Sequence, residues 1–140
     1  MHWRGIGRCS ETGPRVVELY ERDISSAIRL ALGRMPDVVL WRNSAGITTY
    51  QGRVARFGLA PGAADLVGIL TVDGLGVFLS IEVKRPSGRV GQYQRQWGDL
   101  VIRRGGVYLV CHSAEEALDG VEKARESIRF HMRRTYETTL

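Results

Sequence analysis

From Val16 to about Arg34, apolar residues at Val17, Tyr20, Ile24, Ala27, Ile28 and Ala31 recur every three or four positions, which predicts a helix with one buried face. Gly33 and Pro36 mark its end. Val38–Arg42 is a short β-rich run, and Thr48-Thr49-Tyr50 reads as a second short strand. Gly52–Ala64, with Arg53, Arg56, Gly58, Pro61 and Gly62, reads as an exposed basic loop. Leu66–Val72 and Val77–Lys84 are the clearest strands, joined by the hairpin dipeptide Asp73-Gly74. Helical spacing returns over Val90–Arg104, with Val90, Tyr93, Trp97, Leu100 and Val101 on one face, and Gly105-Gly106 ends it. Val107–Cys111 is a buried-type strand. Ser113 then caps a helix over Ala114–Arg125, with Glu116 at the capping-box position.

The order helix, strand, hairpin, helix, strand, helix defines an α/β domain, a mixed central sheet flanked by helices. The expected division is an N-terminal arm over residues 1–15, one domain over 16–126 and a basic C-terminal extension over 127–140, either helical or a tail. The 140 residues suffice for one core. No apolar run approaches the roughly 18 residues of a membrane span, and the first residues lack the apolar stretch of a secretory signal, so a cytoplasmic location is expected. Cys9 and Cys111 are expected to stay unpaired, and His2, His112 and His131 show no metal-ligand spacing. The net charge of +5 suits a polyanionic partner, provided the chemistry points the same way.

That chemistry centres on Asp65, Glu82 and Lys84. Along the second strand of the hairpin, Val77, Leu79, Ile81 and Val83 form an aliphatic row, so Glu82 and Lys84 project from the opposite face. A two-residue turn at Asp73-Gly74 sets Val72 opposite Leu75 and, further down the ladder, Asp65 opposite Glu82, with Cβ atoms roughly 5 Å apart. A turn two residues longer sets Asp65 opposite Lys84 instead. In either register two carboxylates and an ammonium meet. Adjacent carboxylates repel unless a cation intervenes, and hard oxygen donors at this spacing suit Mg²⁺ or Mn²⁺. Such an ion assists phosphodiester hydrolysis, with Lys84 orienting or activating water or stabilising the transition state.

Glu21 falls on the apolar face of the first helix, either as a further site residue or as partner of a buried arginine. Gln94, four after Val90 and three before Trp97, also points inward, to the site or to a nearby backbone group; Gln92 and Gln96 fall on the surface. Arg53, Arg56, Arg85 and Arg89 sit in loops flanking the hairpin and form a candidate phosphate track. Asn43 at the end of the first strand is a candidate for the cleft.

Taken in order, these residues resemble the PD-(D/E)XK nuclease signature: Pro61-Gly62-Ala63-Ala64-Asp65, then Glu82-Val83-Lys84. With Glu21 and Ile24, Arg42-Asn43, Gly88 to Gln94, Trp97 and Gly105-Gly106, the chain is similar over residues 16–118 to a stand-alone VRR-NUC domain. The resemblance implies a restriction-endonuclease-like αβββαβ core and a catalytic set of Glu21, Asp65, Glu82, Lys84 and Gln94. It also implies Asp65, Glu82, Val83 and Glu21 as metal positions for Mg²⁺ or Mn²⁺, and Arg42 and Asn43 on the DNA. Ala64 stands where many relatives have proline or another residue, which removes no ligand. Short members are similar to viral and bacterial nucleases acting as homodimers on branched DNA, in the host cytoplasm where viral. The leading expectation is therefore Holliday-junction resolution. The rivals are a flap or single-strand nuclease, a restriction-like duplex nuclease, and a DNA-binding module without catalysis.

Overall fold

The computed structural model describes residues 20–138. The N-terminal arm with Cys9, and the expected start of the first helix at Val16, lie outside the described residues. The elements run α1 (Glu21–Leu32), β1 (Val38–Arg42), β2 (Gly46–Tyr50), β3 (Arg53–Phe57), β4 (Leu66–Val72), β5 (Leu75–Val83), α2 (Gln92–Arg103), β6 (Val107–Cys111) and α3 (Ala114–Thr138). The main sheet has the order β1-β4-β5-β6, with β1 and β4 antiparallel, β4 and β5 antiparallel, and β5 and β6 parallel. Parallel neighbours need a crossover, and α2 supplies it. With β2 and β3 set aside, the succession α1-β1-β4-β5-α2-β6 is the αβββαβ core of the restriction-endonuclease-like fold.

Helices pack on both faces of the sheet. On one, Ile24, Ile28 and Leu32 of α1 and Ala117 and Val121 of α3 pack against Leu66, Leu70, Leu79, Ile81 and Val83. Removing that apolar surface from water is the main source of stability. On the other, α2 lies over β5 and β6. There Trp97 donates to Ser80 Oγ at 2.9 Å and meets Phe78 edge-on, with ring centroids 6.4 Å apart. Gly98 lets the helix approach closely, since a Cβ there would fall 2.4 Å from the Tyr108 ring. The inward face of α2 is thus Gln94, Trp97, Gly98 and Val101. Tyr93 and Leu100, expected inside with Trp97, are exposed, because α2 covers only half the sheet.

The stretch Gly52–Ala64 is not all loop. Arg53–Phe57 forms β3, paired antiparallel with β2 in a separate two-stranded sheet. Gln51 and Gly52 have φ of 48° and 73°, the left-handed pair of a type I′ turn. Every residue of β3 is exposed, so the sequence carries no buried stripe to announce the strand. At α3, Ser113 Oγ accepts the Glu116 N–H at 3.1 Å, but the Glu116 carboxylate takes the N–H of His112, one residue earlier than a capping box requires. α3 continues without a break to Thr138. Buried Arg125 ties it to Asp37 at 2.7 Å and also bonds Glu122.

Candidate active site

The turn between β4 and β5 is the short one. Asp73 and Gly74 both adopt positive φ, 49° and 82°, and the ladder runs from Val72 opposite Leu75 to Leu66 opposite Ile81. Asp65 immediately precedes that ladder, on the same face as Glu82. Its Oδ2 accepts the Val83 N–H at 2.8 Å, so the carboxylate takes up a backbone donor where strand pairing stops. The approach to Asp65 is held from two sides. Asn43 donates its backbone N–H to Asp65 O at 2.8 Å and its side-chain amide to Ala64 O at 3.0 Å. Gly62, with φ of 84°, lies so close to α2 that a Cβ would sit 2.4 Å from the Tyr93 backbone. Asn43 therefore positions the loop besides lining the cleft beside it.

Glu82 is only 1% exposed. Its Oε1 receives Lys84 Nζ at 3.0 Å and the Gln94 side-chain amide. Its Oε2 is the one buried side-chain oxygen among the described residues with no hydrogen-bond partner. Burial, then the charge of Asp65 and more weakly that of Glu21, outweigh Lys84 and push the Glu82 carboxyl up to about 7. Gln94 satisfies both readings of its sequence position, because its Oε1 also accepts the Gly91 N–H at 2.8 Å, pinning the start of α2. Tyr108 donates its hydroxyl to Gln94 O at 3.3 Å. Burial and the nearby Glu82 and Asp65 hold its phenol up at about 12, so it stays a donor. The sequence reading missed Tyr108 and Ser80 as supports; the tyrosine inside an otherwise aliphatic β6 was the available signal.

Glu21 is brought to the cleft beside Asp65 and not into the core. It is exposed, in the first turn of α1, on the wall of a cleft of about 700 Å³ shared with Asp65, Val83, Arg42 and Asn43. Its position on the helical wheel is inward, but at the helix end inward means cleft and not core. Arg53 and Arg56 lie on exposed β3, and Arg85 and Arg89 on the exposed segment after β5. None of these four lines the cleft, whereas Arg29 and Phe57, which the sequence did not single out, do.

Among the described residues no three His, Cys, Asp or Glu side chains converge closely enough to hold an ion unaided. Glu21 thus closes no three-acid cage with Asp65 and Glu82. The pair still fits Mg²⁺ or Mn²⁺: both donors are hard oxygens, Glu82 keeps a buried oxygen without a partner, and such ions are commonly held by one or two carboxylates plus waters and substrate phosphate.

The fold and this strand-end group of Asp65, Glu82 and Lys84 define a restriction-endonuclease-like protein. The family model for the VRR-NUC domain matches residues 10–115, and the chain belongs to that family, a family of nucleases. No curated protein and no solved structure matches it. No helix among the described residues is long and apolar enough to cross a membrane.

Proposed function

We propose that the protein is a divalent-metal-dependent DNA endonuclease that cuts branched DNA as a homodimer, with four-way junctions as first substrate. The observation that carries the reading is the orphaned oxygen of buried Glu82 beside Asp65 and Lys84. A buried carboxylate oxygen without a partner is costly, and a cation is the partner that best offsets the cost. Asp65 and Glu82 would hold Mg²⁺ or Mn²⁺, which supplies Lewis acidity toward the phosphodiester and eases deprotonation of water.

The chain's own groups do the rest. Gln94 and Lys84 fix Glu82 Oε1, leaving Oε2 as its free corner. The Val83 N–H fixes one oxygen of Asp65 and leaves the other to act. Lys84, 12% exposed at its side chain, brings a positive charge to where the phosphate gains negative charge, or orients the attacking water. The net charge of +5 favours the DNA backbone. Two copies would present two such centres to the two strands of a symmetric junction.

The test is a cleavage panel of four-way junction, flap, single strand and duplex, with Mg²⁺, Mn²⁺ or EDTA. The expected result is metal-dependent cutting, fastest on the junction, with Asp65→Asn and Lys84→Ala each slowing it by about 100-fold or more. An inactive wild type on all four substrates contradicts the proposal. Tight DNA binding that ignores metal and Asp65→Asn points to a binding module instead.

A further inference from the structure

We infer that the cleft between α1 and the β2–β3 hairpin receives an unpaired nucleotide next to the scissile phosphate, its base stacked on Phe57 and its backbone held by Arg42 and Arg29. The inference rests on the nuclease reading above and names what the strand does as it leaves the cutting site. The cleft, about 700 Å³, falls within the roughly 300–1,000 Å³ of sites that enclose a small ligand. Asp65 and Val83 form part of its wall, so whatever fills it abuts Asp65 and the backbone next to Glu82.

The other walls are suited to a nucleotide. Phe57 ends β3 on the exposed hairpin and is 52% exposed, so it contributes nothing to the core cluster. Its ring lies against Gly46 of the partner strand, where a Cβ would fall 2.6 Å from the ring, and that contact sets its position. An anchored aromatic face takes a base of any sequence, but only a base out of the duplex stack offers its own face in return. The cleft carries both signs of charge: Glu21, Asp23 and Asp65 are acidic, Arg22, Arg29 and Arg42 basic, and Arg29 follows Glu21 by eight residues, about 12 Å along the helix. Among the described residues neither Arg29 nor Arg42 is ion-paired, unlike Arg22, which pairs with Asp23 and lies over Tyr20. Two uncommitted guanidiniums on a wall that also carries an aromatic ring match a phosphate and its base.

The experiment measures binding of full-length protein in EDTA by fluorescence anisotropy. Three probes are used: a blunt duplex, the same duplex with an unpaired stretch at a branch point, and that branched probe with abasic positions in the unpaired stretch. Phe57→Ala is expected to weaken binding of the branched probe by about 10-fold or more and to change duplex binding little. Abasic substitution should cost the wild type a similar factor and cost Phe57→Ala nothing further. Phe57→Trp should keep the preference, which separates a stack from a merely structural ring. Arg42→Ala should weaken every probe and lower the salt dependence by about one charge. Equal loss on all probes for Phe57→Ala, or no abasic effect in the wild type, overturns the inference. Cleavage run in parallel with Mn²⁺ keeps the two readings apart. A wild type that cuts but lacks the stacking pattern overturns this inference alone, and one that shows the pattern without cutting supports it while removing the nuclease reading.

Discussion

Glu82 is the residue at which the chemistry meets the stability of the fold. Its carboxyl rises from an ordinary 4.5 to about 7 in the folded chain, so between those values the folded state holds a proton that the unfolded state has lost. Stability from this group is therefore fullest at the acidic end, falls as pH climbs from about 4.5 through 7, and is flat beyond. Glu82→Gln removes the titration. In EDTA its melting temperature relative to wild type should be nearly unchanged at pH 5 and higher at pH 8; equal differences at the two pH values would contradict the assignment. The sequence placed Glu82 and Lys84 on one face opposite the aliphatic row, and pairing at a known turn located Asp65 beside them. It did not show that Glu82 is buried. A strand reading Phe78, Ser80, Glu82, Lys84 on one side looks half wet, and it is the docking of α2, with Trp97 on Ser80 and Gln94 on Glu82, that covers it.

Among the elements, the legible ones were those whose burial repeats. α1, β4, β5 and β6 each turn a regular apolar row to the core, and β4–β5 carries its register in Asp73-Gly74. The β2–β3 hairpin is half legible: Thr48–Tyr50 reads as a strand but its partner reads as loop, because Val54 and Phe57 face solvent and show no amphipathic pattern. The Gln51-Gly52 turn was the overlooked signal. The loop from β3 to β4 depends on Gly62 at a left-handed φ against α2. Gly62→Ala introduces about 1–2 kcal/mol of backbone strain and displaces the loop from Tyr93. It should reduce cleavage by about 10-fold while the core still melts cooperatively in urea. Full activity in that variant would show that the contact does not position Asp65.

For the whole molecule, the αβββαβ order and the membership in a nuclease family followed from pattern and motif together. The cleft did not, because the successive elements α1, β1 and the β2–β3 hairpin wall it only once folding sets them beside Asp65 and Val83, and no periodicity announces that placement. The proposed homodimer predicts a sedimentation mass of twice the 15.6 kDa chain at micromolar concentration; a monomer would favour flap or single-strand cutting over symmetric junction cleavage. The most direct measurement of the central claim is an anomalous difference map from crystals grown with Mn²⁺ near pH 8. A peak at roughly 2.0–2.2 Å from a carboxylate oxygen of both Asp65 and Glu82 is the expected result. A map without a peak at that position, with the two acids turned away from a common point, would contradict it.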